Sequence, residues 1–175
     1  DRAIQQYQAI TVAAQTTGTA PTTSPGGVID LDRTFHGLDA RWIHTGFFKE
    51  GAYTLTAGIS REVQNEWRRG FNNFLTAAVT GVLGALRRDE DNQVVNTSTF
   101  AQADWQVLPA LKVSAGIRQS RVAFRSNDQF LSNGNDSGAV TYRATTPVAG
   151  LVWSVTPALN AYASIGRGFE TPTFN

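Results

Sequence analysis

The densest group of chemically capable side chains lies between Arg68 and Arg88: Arg68, Arg69, Phe71, Asn72, Asn73, Arg87 and Arg88. Guanidinium groups beside an aromatic ring suit an anionic or catecholate ligand, through charge-assisted hydrogen bonds and cation–π contact. For any one of these residues taken alone, solvated loop charge is the simpler account. Oxygen donors also cluster at Asp89-Glu90-Asp91 and through the stretch Asn127–Gly138. Neither has the acidic spacing of a calcium loop, and polar turn chemistry accounts for both. His36 and His44 lack the partner spacing of a zinc site, and the absence of cysteine removes thiolate ligands and disulfides alike. No metal site and no cofactor is expected. Nor is there a catalytic constellation. Gly166-Arg167-Gly168 precedes no phosphate-binding helix, and the chain has neither a Gly-x-Ser-x-Gly elbow nor a Cys/His pair. The chain is not expected to be an enzyme.

The elements that must carry these residues are strands. Leu111, Val113, Ala115 and Ile117 fall on one face of their segment, and Lys112, Ser114 and Gly116 on the other. Tyr53–Ile59 and Leu159–Ile165 repeat the pattern, and a period of two belongs to extended chain with two unlike faces. Seven strands are predicted, near 3–14, 28–46, 52–66, 93–107, 111–126, 139–155 and 159–170. Trp105–Leu111 and Trp153–Leu159 both read Trp-x-Val-x-Pro-Ala-Leu: a strand end, a tight turn and the next strand. Proline suits such a turn, because it fixes φ and has no N–H to give to a ladder. Trp42–Leu55 is a looser third copy, with Phe48-Lys49-Glu50-Gly51 at its turn. Between the tight turns lie polar loops, at Thr16–Gly27, Arg68–Asn92 and Asn127–Gly138. Within the longest of them, Phe74–Leu86 is nearly all apolar and fits either a short helix or a strand extension. Its two glycines weaken the helix.

Short turns at one end and long loops at the other form the asymmetry of an outer-membrane barrel. The expected fold class is all-β: an antiparallel up-and-down transmembrane β-barrel segment, about seven strands of a larger barrel and not closed by itself. No run is as long as the roughly 18 apolar residues of a membrane helix, whereas barrel strands cross with about 9–11 alternating residues. A net charge of +1 gives no reason to expect a nucleic-acid partner. One face carries Thr54, Thr56, Ser60, Glu62, Gln102, Asp104, Lys112, Ser114, Arg118, Asn160 and Ser164, a lining for a wet or plugged lumen. The other face is apolar, and Trp42, Trp105 and Trp153 precede their turns on it. They are expected to form one ring at a single depth, as interfacial belts do. Alternation alone also fits a soluble sandwich, in which these tryptophans would be core. Arg61, Arg121 and Arg125 bring positive charge to the apolar face near the loops. Lipopolysaccharide phosphates could pair with them there, ordinary solubilising charge being the simpler reading.

The end of the chain, Leu159-Asn-Ala-Tyr-Ala-Ser-Ile-Gly-Arg-Gly-Phe-Glu-Thr-Pro-Thr-Phe-Asn175, resembles a barrel strand of TonB-dependent receptors. That strand typically reads Leu-x-Leu-Tyr-Ala-Ser-Tyr-x-Arg-Gly-Phe-x-x-Pro-Thr, so Arg167, Gly168, Phe169 and Pro172 carry the motif. Val113–Val122 and Phe100–Trp105 are similar to two further strands of the family, and Ala85–Asn92 and Gly27–Arg33 to one siderophore-receptor branch. The resemblance covers most of residues 27–175. It implies a large barrel in the bacterial outer membrane, filled by a plug domain and energised through TonB. The implied partners are the TonB complex, reached through the plug, a ferric siderophore or similar small ligand, and outer-membrane lipid. Cobalamin, haem, thiamine or glycans remain open as cargo. The chain opens on Asp1 rather than Met and shows neither plug nor TonB box. Residues 1–175 are therefore expected to be part of a receptor barrel domain, with transport belonging to the parent protein. A passive porin-like barrel and a soluble all-β binding domain are the alternatives.

One motif residue fits poorly. Alternation continued from Leu159 puts Arg167 and Phe169 on the apolar side. A bulge near Gly166–Gly168 would turn Arg167 inward, and regular pairing through Gly168 would exclude that.

Overall fold

The computed structural model describes residues 2–6, 27–76 and 78–172. In chain order the strands are β1 (Arg2–Gln6), β2 (Val28–Phe48), β3 (Gly51–Phe71), β4 (Phe74–Thr76), β5 (Val79–Thr80), β6 (Leu86–Leu108), β7 (Leu111–Asp128), β8 (Gly138–Thr156) and β9 (Leu159–Gly166). Seven of them make one sheet in the order β1-β2-β3-β6-β7-β8-β9, and every neighbouring pair is antiparallel. Among the described residues β4 and β5 pair only with each other. The result is an up-and-down meander, and among the described residues no pairing joins β1 to β9, so the wall is open.

β2 matches its expected bounds to within two residues, whereas β3 and β6 outrun theirs. β2 and β3 have 21 residues each and β6 has 23, about twice the 9–11 that a bilayer crossing needs. Pairing of β3 with β6 continues to Gly70 opposite Arg88. Arg68–Phe71 and Leu86–Asn92, expected in a loop, are therefore ladder residues. The physical reason is that alternation marks a strand only where one face meets an apolar medium. Beyond that zone the alternation fades, and backbone hydrogen bonds together with cross-strand polar side-chain contacts sustain the strand. The connection shrinks to residues 72–85, and its apolar stretch is the small β4–β5 hairpin rather than a helix or an extension of the main strands. Of the predicted strand 3–14, Arg2–Gln6 is seen as β1. Residues 7–14 and most of the loop Thr16–Gly27 lie outside the described residues.

Three two-residue turns, Lys49-Glu50, Pro109-Ala110 and Pro157-Ala158, close one end of the sheet. The two proline hairpins share structure as well as sequence. Each ladder slips once, between Gln106 and Leu108 and between Ser154 and Thr156. The first turn has no slip but holds Lys49 at φ 56. Beside it β3 and β6 approach so closely that a Cβ on Gly51 would stand 2.0 Å from the Gln106 carbonyl oxygen.

Burial is inverted relative to a sheet that faces water. Ser60, Glu66, Asn92, Ser98 and Ser120 are buried, and the register puts all of them on the polar face. On the opposite face Leu38 is 73 % and Ile165 78 % exposed, with Trp42, Ile59, Ile117 and Trp153 also open. Contiguous exposed apolar surface of this kind marks an interaction surface, here one on a single-layer sheet. The polar face is not uniformly polar: Phe35, Ile43, Phe47 and Phe100 stand on it as well.

Candidate functional site

Register sorts the candidate residues onto different faces. Arg68 on β3 and Arg88 on β6 stand on the polar face, near the end that carries the long loops. There they join Arg33, Glu66, Glu90 and Asn92. Arg33 Nε donates to Glu66 at 3.0 Å, and the Glu66 side chain is only 4 % exposed. Arg88 donates to Glu90, which also accepts from Asn92 Nδ2 at 3.2 Å. The Asn92 Oδ1 atom is buried without a partner among the described residues. This cluster is cationic at its edges and can accept an anion only by competing with its own carboxylates.

Arg69 and Phe71 point the other way. The Arg69 guanidinium lies 4.1 Å above the Trp67 ring and 5.8 Å from the Phe71 ring, and it donates to Asp30 at 2.6 Å. Trp67 Nε1 donates to Asp89 at 2.8 Å, while Arg2 donates to Asp30 at 3.0 Å. The hydrogen bond from Arg2 and that from Arg69 hold the Asp30 carboxyl below its ordinary value against desolvation, beyond the apolar band. These contacts tie β1, β2, β3 and β6 together and use up the cation–π partners. Asn72 and Asn73 serve the small hairpin. Asn72 O accepts from Gly84 N at 2.8 Å, and Asn73 O accepts from Gly81 N at 2.7 Å. Arg87 falls at the register shift between Gly70 and Phe71, with its Nη1 buried and unpartnered among the described residues. So the seven residues do not form one pocket. Arg68 and Arg88 share a face; of the partners that complete their cluster, Arg33 and Glu66 stand in strands legible from alternation, whereas Glu90 and Asn92 stand in a segment without an apolar period.

Further down the polar face the contacts are continuous. Asn96 donates to Glu62 at 3.0 Å, Ser98 and Ser120 share a 3.2 Å bond, and Arg118 reaches Ser60. The chain end turns onto this face. Arg167, Gly168, Phe169 and Thr171 line one depression with Asn96, Arg118 and Ser120. β9 stops at Gly166, and beyond it the Arg167 N–H still bonds to Pro147 O at 3.0 Å. Neither the predicted strand to residue 170 nor a bulge is needed: Arg167 reaches the polar side because the ladder has ended. Pro172 follows, exposed. Asn127–Gly138 contracts to a loop whose carboxylate makes turns: Asp128 accepts from Phe130 N at 2.9 Å and from Asp136 N at 3.1 Å.

The tryptophans all lie on the apolar face. Trp105 and Trp153 each stand three residues before the end of their strand. Trp42 stands six before the end of β2, stacked on His44 with centroids 5.7 Å apart, and His44 leads on to Tyr53. Trp105 pairs with Tyr53, so the aromatic set on this face includes His44 and Tyr53 as well as the tryptophans.

A family model described as TonB dependent receptor-like, beta-barrel, matches residues 2–175. The chain belongs to this family. Solved structures that share its fold include two iron-uptake proteins by name. One is the ferric citrate transporter FecA in the unliganded form, at TM-score 0.71 and 13 % identity over 79 % of this chain. The other is the ferric-catecholate import receptor Fiu from E. coli K12 in its open form, at TM-score 0.65 and 12 % identity over 85 % of this chain. This TonB-dependent receptor barrel segment spans 21 % of the first and 28 % of the second. Its two neighbours are a transporter and an import receptor by name; at these identities the likeness is one of fold.

Proposed function

We propose that this segment is part of the wall of an outer-membrane transporter that takes up a small ligand, such as a ferric siderophore, with energy from TonB. The observation that carries the reading is the inverted sheet, with serines, Glu66 and Asn92 enclosed on one face and aliphatic side chains bare on the other. The dimensions support it. Leu38, opposite Arg61 where charge first appears on the apolar face, is ten residues from the turn end at Phe48. At about 3.3 Å per residue and a tilt near 40°, that is roughly 25 Å of height, the thickness of a barrel's apolar band. Trp105, Trp153 and Tyr53 would then mark the periplasmic waterline, whereas Trp42, whose register level is Ala57 and Ala101, would stand roughly 10 Å further up, near the middle of the apolar band. Arg68 and Arg88 would stand above the outer leaflet on the lumen side, where a chelate carrying negative charge first meets the wall. A plug domain elsewhere in the parent protein would occupy the lumen and engage TonB.

The test is uptake of labelled ferric siderophores by iron-starved cells producing the full receptor, with and without TonB. Binding at the cell surface should persist without TonB while accumulation is lost. Arg68→Ala with Arg88→Ala should weaken binding by roughly tenfold, the size expected for loss of charge-assisted contacts. Accumulation that ignores TonB and follows solute size alone would mean a passive pore.

A further inference from the structure

We propose that the apolar face of β3, β6, β7 and β8 holds one phosphate-bearing lipid in a defined site. Three rows on that face carry the assignment. In the outermost, Arg61 pairs with Thr97, Thr97 with Arg121, and Arg121 directly with Arg143. Like charges opposite one another on neighbouring strands repel. Arg61, Arg121 and Arg143 are exposed and have no hydrogen bond or ion pair among the described residues. Arg125, by contrast, donates to Asn127 at 3.2 Å. An unrelieved arginine pair with a third arginine two strands away is a seat for a phosphate, which takes charge-assisted bonds from both guanidinium groups at once.

Two residues nearer the turn end, the next row reads Thr99, Gln119 and Thr145 across β6, β7 and β8, all exposed. These are neutral groups able to hydrogen-bond an ester or a sugar hydroxyl. Two residues further in, the face sinks into an apolar groove lined by Trp42, Leu55, Ala57, Ala101, Ala115 and Ile117. Alanine methyls form its floor, and Trp42, Leu55 and Ile117 stand as its rim. Four residues of strand, about 13 Å, separate that floor from the arginines. Charge, then neutral hydrogen-bonding groups, then a channel of methyl groups is the order of a phospholipid-like molecule read from headgroup to tail. Charge complementarity therefore commits the groove to an acyl chain whose headgroup phosphate lies between Arg121 and Arg143. The inference rests on the membrane reading above, because only a sheet that faces lipid presents this surface to an acyl chain.

The full receptor, purified in detergent and stripped of lipid, is titrated with diphosphoryl lipid A, phosphatidylcholine or inorganic phosphate. Thermal unfolding and the mass of retained lipid are read for each. Lipid A should raise the unfolding temperature and stay bound, whereas phosphatidylcholine and inorganic phosphate should do neither. Arg121→Gln with Arg143→Gln should cut lipid A retention about tenfold or more while unfolding no earlier than the parent in detergent alone, because a repulsion has gone. Should that variant fail to fold, Ala115→Phe, which fills the groove without touching charge, must lose the lipid in the same way. Equal retention by the variants overturns the site, and stabilisation by inorganic phosphate alone overturns its assignment to lipid. Failure of the receptor to insert into vesicles would instead remove the membrane reading itself.

Discussion

At the scale of single residues, the polar face is held by charges that differ greatly in access to water. Glu66 is nearly enclosed, while its partner Arg33 keeps 45 % of its side chain exposed. Removing one partner of such a pair costs most when the group left behind is the buried one. Arg33→Ala should therefore destabilise the receptor by about 1–3 kcal/mol, through a carboxylate left under-satisfied. Glu66→Gln should cost less, since an amide oxygen still accepts and the guanidinium returns to water. Urea unfolding of the receptor in lipid vesicles measures both, and equal losses would show that Glu66 is better hydrated than its burial suggests. Residues of this class were legible only in part. Glu62 and Arg118 were assigned to their face by alternation, but Glu90 and Asn92 lie in a segment without an apolar period to be recognised by. Arg143 is illegible in the sequence for a different reason. Its meaning comes from standing opposite Arg121, and register across strands is a non-local fact.

At the scale of elements, the hairpins explain what was readable. The Trp-x-Val-x-Pro-Ala-Leu repeat marked two turns because proline restricts φ and a tight connection leaves a local signature. The ladder slip that accompanies each of them left none, since an unpaired residue in a strand has no fixed side chain. Trp42 shows the limit of the third copy. Its turn is legible at Lys49-Glu50, yet the tryptophan sits further from the turn than its counterparts. Gly51 gives the element-scale prediction. Its missing side chain lets β3 close on β6 beside the Trp105 indole, which lies 2.7 Å from where a Cβ would be. The obstacle at 2.0 Å is backbone, so neither a rotamer nor a flexible tip can yield. Gly51→Ala should destabilise by about 1–3 kcal/mol, the usual range for forced overpacking. It should also raise hydrogen exchange at Gln106 and Leu108 first. An alanine variant with unchanged exchange at that hairpin would show that the strands separate there without penalty.

At the scale of the whole molecule, the described residues form an open seven-stranded wall with two edges, β1 and β9, that pair with no other described strand, and one face of bare aliphatic and aromatic groups. Lipid tolerates no unpaired backbone, and water favours association of such edges. Residues 1–175 produced alone should therefore stay insoluble without detergent and show no cooperative thermal transition. A soluble, monomeric, cooperatively melting product would point to the soluble all-β alternative.

The reach of β2 has a bearing on attack from outside the cell. Its 21 residues extend about 70 Å along the strand and rise about 50 Å at barrel tilt, roughly twice the apolar band. Half of the wall would project past the bilayer as hydrogen-bonded ladder. Proteases need a segment they can pull into extended, unpaired form, so nicks should concentrate within 72–85 and 129–137. Antibodies raised against linear peptides from 60–70 should fail to recognise intact cells, although on the proposed placement that stretch would stand clear of the lipid.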